Sequence, residues 1–185
     1  ANLYIKALED FVSEQKKGKC STLEQTTFKE MHQLMHKLKD GSNGKFIAAI
    51  KAEALPNNDG LKISLFDGDG NITPKESLSM GEKQIYISSL IKAILSLAVQ
   101  DFPIFIDTPL GRLDHEHINN FLVSYYPNLA SQVVLMATNN EIPPSRFKLV
   151  KDYIANAYLL ESNNNQTKFK QGYFISLKKV FFSGM

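Results

Sequence analysis

Two short apolar runs constrain the fold most. The first, at 103–107, breaks off into a carboxylate at Asp107, and the second, Val133 to Ala137, breaks off into Thr138, Asn139, Asn140 and Glu141. Apolar runs of this length without polar alternation read as strands of a sheet buried on both faces. Between them a helical stretch runs from about Asp114, its N-cap, to Tyr125. Strand, helix, strand in this order implies a parallel sheet with a right-handed crossover. Ligands on such sheets sit at the carboxyl ends of the strands, which is where Asp107 and Thr138 fall.

The segment Leu78-Ser79-Met80-Gly81-Glu82-Lys83-Gln84 lies one apolar helix-length upstream. It sets a serine, a glycine and their backbone N–H groups at the start of a helix, where orphan amides and the helix dipole favour a phosphate. Ile87, Leu90, Ile91, Ile94, Leu95 and Ala98 mark the apolar face of that helix, with Lys83, Ser89, Lys92 and Ser96 mostly off it, and Pro103 stops it. Asp107, driven out of the end of a buried strand, suits a Mg²⁺ held on phosphates. Together the two segments read as half of an ATP site. The other half is missing: no GxxxxGK[ST] occurs, and the stretch from Gly41 to Lys45 is too short to supply one.

The remaining features narrow the class. At 185 residues and 43% hydrophobic, the chain is long enough for one domain with a proper core. A net charge of +2 is too mild to argue for nucleic acid, and the small lysine clusters at 16–19 and 168–179 read first as solvated faces. The single cysteine, Cys20, forms no internal disulfide and reads as a small apolar residue in a reducing compartment. No run approaches a membrane span and no secretory pattern is present, which fits a cytoplasmic protein. The opening Ala1 hints at an excised fragment.

Residues 1–40 are helical in character. Phe28, Met31, Leu34, Met35 and Leu38 recur at helical spacing, either as core or as the last turns of a coiled-coil arm, and the cluster from Asp40 to Gly44 ends the pattern. Strands are expected at 45–54 and 61–66, with a turn after them at Asp67-Gly68-Asp69-Gly70-Asn71 that lacks the glycine and the final glutamate of a calcium loop. A helix near 145–154, a strand near 157–161, an Asn-rich turn at 163–165 and a strand near 168–175 complete the order.

Leu78-Ser79-Met80-Gly81-Glu82 resembles the LSGGE signature of ABC-type ATPases, and the strand ending in Asp107 resembles their Walker B. The segment 109–114 is similar to the D-loop, and Thr138 stands where the switch histidine normally does. Order and spacing resemble the C-terminal half of an SMC-like head. Narrower still, Ile106-Asp107-Thr108-Pro109-Leu110-Gly111-Arg112-Leu113-Asp114 with a switch threonine resembles the DndD family, SMC-like ATPases of bacterial DNA phosphorothioation systems, as does the ending from Leu160-Glu161 through Gly172-Tyr173-Phe174. The resemblance covers about residues 60–175 and is strongest from 78 to 141.

The resemblance implies an α/β fold, the C-terminal half of an ABC/SMC-type P-loop ATPase head, with a mostly parallel sheet flanked by helices. It would comprise a helical segment at 1–40 and the lobe at 41–185. It implies ATP and Mg²⁺ as cofactors. Leu78, Ser79, Met80, Gly81, Glu82 and Lys83 would bind in trans the γ-phosphate held by a second head, while Asp107 would hold Mg²⁺ through water. Asp114 would lie at the dimer seam. The partners implied are an N-terminal Walker A lobe, a second head, DNA, and other DNA-modification proteins in a modification, restriction or repair system, with no membrane.

Two positions depart from the ABC pattern. Thr108 replaces the water-orienting glutamate, and a threonine hydroxyl cannot act as a general base near neutral pH. Thr138 replaces the switch histidine and offers a hydroxyl without an imidazole charge. Slow turnover is therefore expected, with ATP-dependent closure as the main event, unless Asp114, Glu141 or a partner supplies a carboxylate. Two rival readings stand beside this one: a degenerate head acting as a scaffold, and an unrelated α/β enzyme with Asp107 as phospho-acceptor, for which Pro109 occupies the place of the second carboxylate. The pairs His32/His36 and His115/His117 have zinc-like spacing but no further ligands, and solvated or capping histidines are the favoured reading. Tyr125 and Tyr126 read as core in preference to base-stacking residues.

Overall fold

The computed structural model describes residues 2–35, 46–56, 60–111, 113–163 and 166–173. The order is α1 (Asn2–Leu34), β1 (Ala49–Ala54), β2 (Leu61–Phe66), β3 (Ile72–Thr73), α2 (Met80–Leu97), β4 (Ile104–Asp107), α3 (His115–Asn120), β5 (Val133–Met136), α4 (Pro144–Val150), β6 (Tyr158–Asn163) and β7 (Gln166–Gln171). Two compact units emerge, residues 1–143 and 144–185. Among the described residues no helix is long and apolar enough to cross a membrane.

At 33 residues α1 is about 50 Å long at 1.5 Å per residue, and only its second half is covered. Leu3, Tyr4, Ile5, Leu8, Phe11 and Val12 are exposed, whereas Leu23, Met31 and Leu34 are buried, as is Met35 just beyond the helix end. Of the stripe that suits either core or arm, Met31, Leu34 and Met35 are core; Leu38, like His36 and the turn at 40–44, lies outside the described residues. The covered half lies on the antiparallel sheet β1-β2-β3 and on α2, with Leu23, Ala52 and Ala93 at the centre and Cys20, Ile63, Leu90 and Leu97 packed around them. Polar groups finish the joint. Glu24 Oε1 accepts from the Ala52 N–H on the edge of β1 at 2.7 Å, and Lys92 of α2 pairs with Glu30 of α1 at 2.8 Å.

The inward face of α2 differs from the sequence expectation. Ile85, Tyr86, Ser89 and Ala93 are buried, while Ile87, Ile91 and Ile94 are exposed. Small residues let α1 approach closely, and the Ser89 hydroxyl is satisfied inside by donating to the Ile85 carbonyl at 2.9 Å. Residues that hydrophobicity places off the apolar face therefore form the helix joint, and three isoleucines form an uncovered stripe.

β4 and β5 pair in parallel with Asp107 opposite Met136. Within the unit at 1–143 this pair is not buried on both faces, since Phe105 is 65% and Met136 45% exposed. The other sheets are antiparallel, including β6–β7, a hairpin in the second unit with Leu160 opposite Phe169. The turn at 67–71 is closed by Asp67 itself, whose Oδ1 accepts from the Asp69 and Asn71 N–H groups.

After α3 the chain widens into a π turn at Phe121–Tyr125, where the Tyr126 N–H donates to the Phe121 carbonyl five residues back, and then tightens into a 3₁₀ turn at Tyr126–Asn128. Phe121, Leu122, Tyr125 and Tyr126 of this stretch are all buried. Burial pushes both tyrosine hydroxyls above their ordinary pKa and keeps them neutral donors.

Candidate functional site

The site grows from two chain reversals. At the first, Ser79 leaves the helical region with φ −61° and ψ 164° and caps α2. Its hydroxyl accepts from the Glu82 N–H at 3.3 Å, and Glu82 Oε2 accepts from the Ser79 N–H at 2.8 Å, a reciprocal capping box. Leu78 is buried behind it and the Lys83 ammonium donates to the Glu76 carbonyl at 3.2 Å. Glu82 thus occupies the Ser79 amide, leaving the Met80 and Gly81 amides as the donors at this helix start without a partner among the described residues. Ser79 and Met80 are exposed and Gly81 half-buried.

At the second, β4 ends in the exposed Asp107 and the ladder closes with the Thr108 N–H donating to the Met136 carbonyl at 3.1 Å. Thr108 sits in the left-handed region at φ 52°, a strained conformation for a β-branched residue, and its hydroxyl donates to Asp107 Oδ1 at 3.3 Å. The reversal is tight: a Cβ on Gly111 would meet the Thr108 methyl at 3.1 Å. Arg112 lies outside the described residues. Asp114 caps α3 through the Glu116 and His117 amides, and the His117 ring Nδ1 lies 2.7 Å from the same oxygen. Those bonds, led by that from the His117 amide, hold the Asp114 carboxyl below its ordinary pKa.

Three side chains fasten these reversals together. Gln84, one turn into α2, donates to the Pro109 carbonyl at 3.0 Å, and the Tyr126 hydroxyl donates to the same oxygen at 2.8 Å. Glu141 accepts from the Leu110 N–H on Oε1 at 3.0 Å, and from both the N–H and the hydroxyl of Thr138 on Oε2 at 3.1 Å. The start of α2, the turn after β4 and the loop after β5 thus form one hydrogen-bonded body. Ser79 stays outside this network, its hydrogen bonds all falling within its own cap. In the sequence Gln84 is one letter of a motif and Tyr126 a core residue; that both donate to one carbonyl is a tertiary contact no pattern of residues announces.

Asp107 fits a Mg²⁺ that keeps most of its waters, being one exposed carboxylate at a strand end; groups of three His, Cys, Asp or Glu side chains able to cage a metal are absent among the described residues. His32 packs edge-on against Phe28 and His117 joins the Asp114 cap.

No family model matches the chain, and no curated protein matches it. Solved structures do share its fold. One, described as "Structural biochemistry of ATP-driven dimerization and DNA stimulated activation of SMC ATPases", has a TM-score of 0.55 at 13% identity over 92% of this chain and 93% of that one. The Smc head domain with an extended coiled coil from Pyrococcus furiosus, bound to the C-terminal domain of ScpA, has a TM-score of 0.55 at 14% identity over 95% of this chain. The head with a coiled coil and joint from Pyrococcus yayanosii has a TM-score of 0.57 at 14% identity over 92%. This chain spans 42% and 32% of those two chains. It has the mixed α/β fold, with an N-terminal helix, of the C-terminal lobe of an SMC-type ATPase head.

Proposed function

We propose that this chain is the signature-bearing lobe of an ATP-binding head that closes on a second head, completed by a lobe carrying the phosphate-binding loop. The observation that carries the reading is the pairing, within an SMC-head fold, of a helix start with open Met80 and Gly81 amides and an adjoining reversal that presents Asp107. The helix start would donate to the γ-phosphate held by the second head, Gly81 permitting close backbone approach. Asp107 would orient the waters of Mg²⁺, which supplies neutralisation of phosphate charge. Leu78, Glu82 and Lys83 would shape the cap, and Asp114 would lie at the seam. The exposed Phe105, Met136, Ile87, Ile91 and Ile94 are the surface that the completing lobe would cover.

Thr108 and Thr138 make binding and closure the principal event and hydrolysis slow. Donation from the Thr138 hydroxyl to phosphate would require it to leave Glu141. A scaffold that does not bind nucleotide is the second reading, favoured by the Thr108 hydroxyl resting on Asp107. Calorimetry with ATP on the intact protein separates the two, since a scaffold without nucleotide binding gives no heat.

The wider role we propose is ATP-driven head closure acting on DNA, in a phosphorothioation system of the DndD type by the motif at 106–114, or in a related antiphage or repair complex. A neighbour described for ATP-driven dimerization and DNA-stimulated activation supports head pairing and DNA as a partner, and those bound to ScpA support an accessory protein. Ser79→Arg tests the trans contact: ATP-induced association of intact heads is expected to disappear, and association at the wild-type level overturns the proposal.

A further inference from the structure

We infer that Glu141 is a positioning residue that makes the turn after β4 and the loop after β5 move as one, an inference that rests on the ATPase reading above. The turn after β4 and the loop after β5 are far apart in sequence, and β4 and β5 end side by side, with Thr108 N–H to Met136 O as the last ladder bond before the loops. Glu141 joins the two beyond that bond. One oxygen takes the amide of Leu110, which is buried beyond the strained Thr108; the other takes the amide and hydroxyl of Thr138. The Glu141 amide in turn donates to the Thr138 carbonyl at 3.1 Å, so the carboxylate is held from its own backbone.

A carboxylate is the side chain able to do this. Each of its oxygens accepts, whereas an amide accepts on one side and donates on the other. Glutamine at 141 keeps the shape but must turn an NH₂ toward either the Leu110 N–H or the Thr138 N–H, so one of these two amides loses its acceptor whichever way it settles. With three donors already seated on it, Glu141 is a brace between Asp107-Thr108 and Thr138 and not the base that Thr108 fails to provide. Through Pro109, which Gln84 and Tyr126 hold, the same brace reaches the start of α2.

The test is Glu141→Gln in the intact protein, read by amide exchange and by steady-state hydrolysis of MgATP. Loss of a hydrogen bond to a charged group predicts about ten- to a hundredfold faster exchange at Leu110 or Thr138, with the α2 amides of Ile85 and Ser89 unchanged. A positioning role further predicts that kcat falls about tenfold or more while KM for ATP stays within about twofold. Glu141→Asp, which keeps both acceptors on a shorter stem, should recover part of kcat. Faster exchange with unaltered kcat overturns the inference, as does a lower kcat without faster exchange. If Glu141→Gln also loosens α2, Glu141→Asp is read alone: loosened loops together with lowered kcat support the brace, and either change without the other overturns it. A wild-type protein that neither binds nor hydrolyses ATP sinks the ATPase reading itself, an outcome distinct from any difference between variants.

Discussion

The ion pair between Lys92 and Glu30 joins α1 to the helix that opens the site, and its cost of removal can be worked out. The side chains are 19% and 10% exposed and meet at 2.8 Å, so each charge depends on the other for most of its solvation. Breaking a fully buried pair from one side costs about 3–5 kcal/mol, and the residual exposure of Lys92 argues for the lower end, about 3 kcal/mol, for Glu30→Leu. Lys92→Leu should cost slightly more, because the ammonium also lies 5.9 Å from the Tyr125 ring centre and forfeits a contact of about 0.5–1 kcal/mol. Replacing both residues removes the stranded charge, so the double variant should lie within about 1–2 kcal/mol of wild type. Urea unfolding of the four proteins measures this directly. Single variants that lose less than about 0.5 kcal/mol, as an exposed pair would, or a double variant whose loss equals the sum of the singles, would refute the argument.

Other perturbations separate structure from chemistry. Ser79→Ala removes one half of the capping box and should destabilise by about 1 kcal/mol in thermal unfolding, with no loss marking the cap as idle. Thr108→Gly relieves the left-handed backbone and should stabilise by about 0.5–1 kcal/mol after the entropy of glycine is subtracted, a lower melting temperature counting against strain. Thr108→Ala should leave slow ATP turnover unchanged, whereas fast turnover abolished by that change contradicts the expectation that the hydroxyl is no base. Tyr125 and Tyr126 have folded pKa values raised above 10, so their contribution is complete below that pH and lost above it, by about 1.4 kcal/mol per pH unit for each tyrosine. The Phe double variant should flatten stability between pH 10 and pH 12, and an unchanged slope would show that neither hydroxyl is responsible.

Sequence patterns carry information about some elements of this chain and none about others. Ser79 and Glu82 at capping-box spacing give the start of α2, and two apolar runs around a capped helix give the parallel pair β4–β5, because each rests on contacts within a few residues or on a single connection. The inward face of α2 is not legible. Hydrophobicity points to Ile87, Ile91 and Ile94, but close helix packing selects Ser89 and Ala93, and the isoleucines look out. The apolar character of β4 suggests burial on both faces, yet a composition suited to a covered strand says nothing about which chain does the covering. Both strands of the hairpin β6–β7 are legible, since two extended runs flank an Asn-rich turn, whereas the π turn is hidden because it depends on a single extra residue in a helical turn.

A sheet of two strands has two outer rims, and β4–β5 is such a sheet among the described residues. Each rim carries amide and carbonyl groups free to zip onto another extended segment, and Phe105 adds a greasy flank that rewards the wrong neighbour as readily as the right one. Made without whatever normally shields it, the polypeptide should clump through this ribbon. Supplying the shield during synthesis should then restore solubility before it restores any enzymatic property.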